Sequence, residues 1–215
     1  KIESAADLIP LGMPATPHTP RKDVWYMRRR YFHYPHFKYD VWAAQENGKL
    51  LAYVVTRTVT AQETGCAAVV RLVDFIGEDS VLPRIGAALD AIMNHAGAEY
   101  MDCYNAGIPA DVWLAAGFTE RVEGDGCIIP NYLTPPVHEN TEYYYFTNKP
   151  ENFVLFKADG DQDRPNLEII AKKPAVAMNS GLFSISGLVL TGRSVPFCPS
   201  GHGSSGRPAW GCAHG

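Results

Sequence analysis

Residues 69–86 read VVRLVDFIGEDSVLPRIG, and this stretch decides how the chain folds. Val69, Val70, Leu72, Val73, Phe75 and Ile76 form an apolar, largely β-branched run broken only by Arg71 and Asp74. Such a run predicts a strand covered on both faces. Gly77 ends it, and Glu78, Asp79 and Ser80 supply the capping and first-turn residues of a helix. In that helix Leu82, Ile85, Leu89 and Ile92 share a face, Pro83 sits in the first turn, and Gly97 suits the C-terminal stop. A strand that runs into a helix N-terminus leaves backbone N–H groups unpaired under a favourable dipole. The turn is therefore expected to hold an anion.

Working outward, Tyr39 to Ala44 and Leu50 to Val59 read as two strands joined by Glu46-Asn47-Gly48, a hairpin turn. With the Val69 strand they make an antiparallel meander. Asp23 caps a short helix through VWYMRRRYFHY, stopped by Pro35. Its Arg28, Arg29 and Arg30 fan around the helix axis and are expected on a solvated, partly salt-bridged face. Tyr100 to Tyr104 is a further strand and Pro109 to Ala116 a short helix ended by Gly117-Phe118. Thr119 to Val122, Cys127 to Ile129, Glu142 to Phe146 and Phe153 to Phe156 are expected strands, with Gly124-Asp125-Gly126 as a turn. The order gives an α+β fold, a mostly antiparallel mixed sheet flanked by helices.

Three regions follow from composition. Residues 1–22, with Pro10, Pro14, Pro17 and Pro20, read as a linker or the remnant of a preceding domain; 23–170 form the domain; 171–215 form a Gly/Ser/Pro-rich tail expected to be disordered. The chain starts at Lys1, so it reads as a fragment. The formal charge of −4 disfavours a dedicated nucleic-acid binder. No apolar run is long enough for a membrane span. Cys66, Cys103, Cys127, Cys198 and Cys212 are scattered without a CxxC pair, which points to free thiols and a cytoplasmic setting. No metal is expected. Asp159, Asp161 and Asp163 open like a calcium loop, but Arg164 and Ile170 stand where its Gly and Glu belong. Cys198, His202, Cys212 and His214 have no structural-zinc spacing.

The ordered set RRYFHYPHFKYDVW (Arg29 to Trp42), RLVDFIG (Arg71 to Gly77), AEYMDCYNAGI (Ala98 to Ile108), AAGF (Ala115 to Phe118), IIPNYL (Ile128 to Leu133) and DGDQDRPN (Asp159 to Asn166) resembles GNAT-like acyl-CoA N-acyltransferases. The likeness is nearest to the GNAT-like proteins of bacterial surface-polysaccharide clusters, and it spans about Trp25 to Asn166. In that superfamily the central strand splays from its neighbour and acetyl-CoA lies in the gap. The resemblance places acetyl-CoA or another acyl-CoA beside Val73, Phe75 and Ile76, with its pyrophosphate at Gly77, Ser80 and Val81.

It implies Asp74 or Glu78 as the base for an acceptor ammonium and Tyr104 as the acid for the thiolate. Asp102 and Asn105, with Asp161, Asp163, Arg164 and Asn166, would hold an amino-sugar acceptor. The chain departs from the superfamily at two points. Gly77-Glu78-Asp79-Ser80 replaces a basic, Gly-rich loop, and Trp113 replaces the usual general-acid Tyr. Plainer roles for Asp74 and Asp102 are pairing at strand ends. Two functions therefore compete. One is transfer of an acetyl or related acyl group to an amino sugar or nucleotide sugar. The other is a non-catalytic C-terminal half that binds acceptor or docks a partner, including a missing N-terminal half.

Overall fold

Asn47 and Gly48 both adopt positive φ, 50° and 78°. That is the type I′ turn whose twist matches two antiparallel strands. It joins β1 (Asp40–Glu46) to β2 (Lys49–Val59). The computed structural model describes residues 1–60, 68–122, 124–131, 139–141 and 143–160, and the main chain of 189–194. β2 pairs antiparallel with β3 (Val69–Gly77), all nine of whose residues are buried, as the apolar run requires. β3 pairs in parallel with β4 (Tyr100–Ala106), and the crossover carries α3 (Gly86–Ala96). Helix α4 (Ala110–Ala115) and the short β5 (Thr119–Glu120) and β6 (Leu155–Phe156) follow. A last strand, β7 (Val189–Ser194), runs between β4 and β5, giving the order β1-β2-β3-β4-β7-β5 with β6 on β4. The architecture is α+β, a mixed sheet flanked by helices.

Successive residues of a strand face opposite sides, so the sheet has two cores. Val54, Val70 and Leu72 meet Leu89, Met93, Trp113 and Phe118 from α3, α4 and the chain after them. Tyr53, Val55 and Val73 meet Leu8, Met27 and Tyr31 from the N-terminal region. Residues 1–22 thus lie on the sheet: α1 (Leu8–Leu11) buries Leu8 completely, and Ile2 bridges Val41. The phase of β3 slips midway. Val55 opposes Asp74 while Thr56 opposes Leu72, so Val73 is a bulged extra residue. The bulge turns Asp74 toward the N-terminal face.

Helix α2 (Val24–Met27) starts where Asp23 accepts from the Tyr26 N–H at 2.7 Å. Asp23→Ala is expected to cost about 1 kcal/mol, read as a lower urea midpoint at unchanged m-value. The helix widens to a π turn over Arg28–Phe32, closed by His33 N–H to Arg28 C=O at 3.0 Å. Arg28 and Arg29 are exposed as expected, with Arg29 over the Trp25 ring. Arg30 corrects the expectation. It lies half-buried against Tyr31, Tyr34 and Tyr39 and donates to the Ala158 carbonyl.

Three other expectations change. The helix after Gly77 begins as a 3-10 segment, Asp79–Ile85, and becomes α only at Gly86. Cys127 to Ile129 and the described part of Glu142 to Phe146 lie in no sheet, because no strand among the described residues partners them. The Asn140 side chain instead takes the Ile129 N–H at 2.9 Å and donates to the Cys127 carbonyl at 2.6 Å. Apart from Val189–Ser194, the tail expected to be disordered lies outside the described residues. Among the described residues no helix is long and apolar enough to cross a membrane.

Candidate functional site

β3 and β4 pair only from Val69↔Tyr100 to Leu72↔Cys103, and past that point they separate. β6 fills the opening. Asn105 pairs with both Phe156 and Val189, and β7 holds one edge of β4 along its length. β6 must therefore take the other edge, the one facing β3. A glycine makes its seat. Gly107 has φ +103°, and a Cβ there would lie 2.1 Å from the Phe153 carbonyl oxygen. The N-terminal arm zips onto the same segment: Thr19 N–H donates to Asn152 C=O at 2.8 Å and Val154 N–H to Thr19 C=O at 2.9 Å.

Ionic contacts lock this wedge. The Lys22 ammonium lies 2.6 Å from Asp74 Oδ1, 2.8 Å from Asp159 Oδ1 and 2.9 Å from Asp159 Oδ2. The side chains are 8%, 0% and 5% exposed for Lys22, Asp74 and Asp159. Tyr31 OH donates to Asp74 Oδ2, Tyr26 OH to Asp159 Oδ1 at 2.9 Å, and Phe156 N–H to Asp159 Oδ2 at 2.9 Å. The rings of Tyr26 and Phe156 flank the ammonium at 5.6 and 5.4 Å.

Burial alone would lower the Lys22 pKa, but the two carboxylates outweigh it and hold the ammonium above its ordinary value. Burial pushes the Asp74 carboxyl up; Lys22 opposes that and Asp159 adds to it. Burial and the same carboxylates hold the Tyr26 and Tyr31 phenols well above the ordinary tyrosine value.

A second buried group lies alongside. The Arg71 guanidinium sits 3.2 Å from Asp102 and donates to the Pro130 and Asn131 carbonyls. Lys157 donates to Asn131 Oδ1 and faces the Tyr104 ring at 4.6 Å. Lys22, Arg71 and Lys157 thus balance Asp74, Asp102 and Asp159 under the wedge.

Compared with protein-family models, with curated proteins and with solved structures, the chain matches none.

Of the residues expected around acyl-CoA, Phe75 and Ile76 line one small cavity. Phe75 and Ile76 face Val154 and Phe156 of the wedge, with Thr16, His18, Pro20 and Lys22, across a cavity of about 10 Å³. That is room for one water. Val73 and Gly77 are buried, and Gly77 is held glycine because a Cβ there would lie 2.7 Å from Ala52 Cβ. At the turn, Glu78 and Ser80 are exposed, Val81 is buried and its N–H is taken by the Glu78 carbonyl, and Asp79 pairs with His18 at 2.7 Å.

Asp74 has one oxygen on Lys22 and the other on Tyr31. Tyr104 donates to the Ile129 carbonyl at 2.8 Å, and burial holds its phenol well above the ordinary value. Burial pushes the Asp102 carboxyl up against the pull of Arg71. Asn105 is fully buried and accepts from the Trp113 indole at 3.1 Å, so Trp113 is a packing residue. Asp74 and Asp102 thus pair with side chains inside their strands and not with backbone at strand ends. Asp161, Asp163, Arg164 and Asn166 lie outside the described residues.

Sequence reasoning missed Lys22, Tyr26, Tyr31 and the part played by Asp159. The one signal was Asp74 itself, a charge inside an apolar run, which demands a buried partner.

Proposed function

We propose that this chain is a GNAT-like C-terminal half that runs no acyl transfer and serves as an acceptor-binding or partner-docking domain. One observation carries the reading: the opening between β3 and β4, where the resemblance would lay acyl-CoA, is filled by the chain's own Leu155–Phe156. The chemistry agrees. A general base needs a free lone pair within reach of its proton, and both Asp74 oxygens are engaged. The turn meant for a pyrophosphate presents Glu78 and Asp79, and Coulomb repulsion disfavours a polyanion there. The scattered thiols fit a reducing cytoplasm.

Titrating acetyl-CoA into the full chain by calorimetry tests this, with circular dichroism to establish that the chain is folded. The expected result is no saturable heat at millimolar ligand. Saturable binding that disappears on Ser80→Glu overturns it. That outcome restores the alternative, transfer of an acetyl or related acyl group to an amino sugar or nucleotide sugar in surface-polysaccharide synthesis.

A further inference from the structure

We propose that Asp74, Asp159, Tyr26 and Phe156 form a binding site for a primary ammonium group, and that Lys22 is its internal ligand. An ammonium offers three donors and no acceptor. Here they meet one Asp74 oxygen and both oxygens of Asp159, all within 2.9 Å. The faces of Tyr26 and Phe156 close the sides, where aromatic rings attract a cation. Tyr31 holds the other Asp74 oxygen, and the Tyr26 hydroxyl and the Phe156 amide hold Asp159, so the two acids stay aimed at one point.

The walls come from β3, α2 and the wedge, none of which contains Lys22. Lys22 arrives on the irregular arm between Pro20 and Asp23. Without a cation, two buried carboxylates face each other uncompensated, which destabilises the fold until a cation or a proton reaches them. A quaternary ammonium brings no N–H to these oxygens and fits only the rings. The small cavity lined by Thr16, His18 and Pro20 adjoins Lys22 and extends the space toward the arm. The proposal rests on the cluster alone and stands or falls independently of acyl-CoA binding.

Lys22→Ala in the full chain removes Cγ, Cδ, Cε and Nζ, the atoms of n-propylammonium. Thermal unfolding is followed with propylammonium chloride, tetramethylammonium chloride and sodium chloride at equal ionic strength. Propylammonium is expected to raise the variant's Tm saturably, by about 5 °C or more at high occupancy. The other two salts leave that rise absent, and wild type does not respond. In Lys22→Ala/Asp74→Asn most of the propylammonium effect disappears. A variant that folds only when propylammonium is present supports the site equally. An equal response to all three salts, an undiminished response in the double variant, or a variant unfolded at every propylammonium concentration overturns it.

Discussion

Gly107→Ala is expected to lower stability by about 3 kcal/mol or more, whereas Gly48→Ala costs about 1 kcal/mol. Both glycines have positive φ, +103° and +78°. The difference lies in what a methyl group meets. At Gly48 nothing stands within 4 Å, so the loss is that of backbone conformation alone. At Gly107 the new Cβ collides with the Phe153 carbonyl at 2.1 Å, and backbone has no rotamer by which to yield. The segment must back out of the opening. Its strand pairing with Asn105 and Ala106 goes with it, as does the alignment of Asp159 on Lys22. Urea midpoints give the two losses, and hydrogen exchange locates them. Fast exchange at Leu155 and Phe156 with β1 and β2 still protected is the expected pattern. Equal midpoints for the two variants would remove Gly107 as the seat of the wedge.

The second large effect is with alkali. Tyr26, Tyr31 and Tyr104 have folded pKa values above the ordinary 10.0, and Lys22 one above 10.5. The sign follows from proton counting. Above those ordinary values the unfolded chain has released its protons and the folded chain still holds them, so stability falls as pH rises. Below them the two states bind equally and these groups give no slope. Four such groups at about 1.4 kcal/mol per pH unit each give a slope of about 5.5 kcal/mol per unit. A domain of ordinary stability, about 5–15 kcal/mol, then unfolds within a few units. Burial of the Cys103 thiol adds a further proton of the same sign. The check is a set of urea midpoints from pH 8 upward, read beside tyrosinate absorbance. Tyr26, Tyr31 and Tyr104 should ionise only with unfolding. All eleven tyrosines ionising while native circular dichroism persists would sink the prediction. Tyr31→Phe should flatten the slope by one proton.

What the sequence made legible was local. Asn47-Gly48 announces its hairpin because only such residues take two positive φ angles in succession. The unbroken burial of Val69–Gly77 is written in its composition, and Gly97 closes α3 in the left-handed conformation at φ 60°. The wedge was half legible: FVLF reads as a strand, but which edge it joins depends on where β3 and β4 part. The cluster was out of reach for a related reason. Lys22 and Asp159 are 137 residues apart, and nothing in Pro20-Arg21-Lys22-Asp23 distinguishes a buried lysine from a solvated one. Asp74 turns to meet them only because Val73 bulges, and no residue type there signals a bulge. The two absent strands fail for the converse reason. Alternation and β-branching describe what a strand needs on its faces, but a strand also needs a neighbour along its edge.

The wedge also bears on how the chain is made. On the ribosome β1 to β4 emerge first, and the piece that fills the space between β3 and β4 is translated only at residues 153–159. At about 5–20 residues per second the nascent sheet waits seconds with that cleft vacant, its floor of Phe75 and Ile76 facing water. The interval ends when Phe156 and Asp159 arrive and Lys22, made long before, finds its second carboxylate. Translation speed over residues 107–159 therefore sets how long the unfinished molecule shows sticky surface to its neighbours and to chaperones.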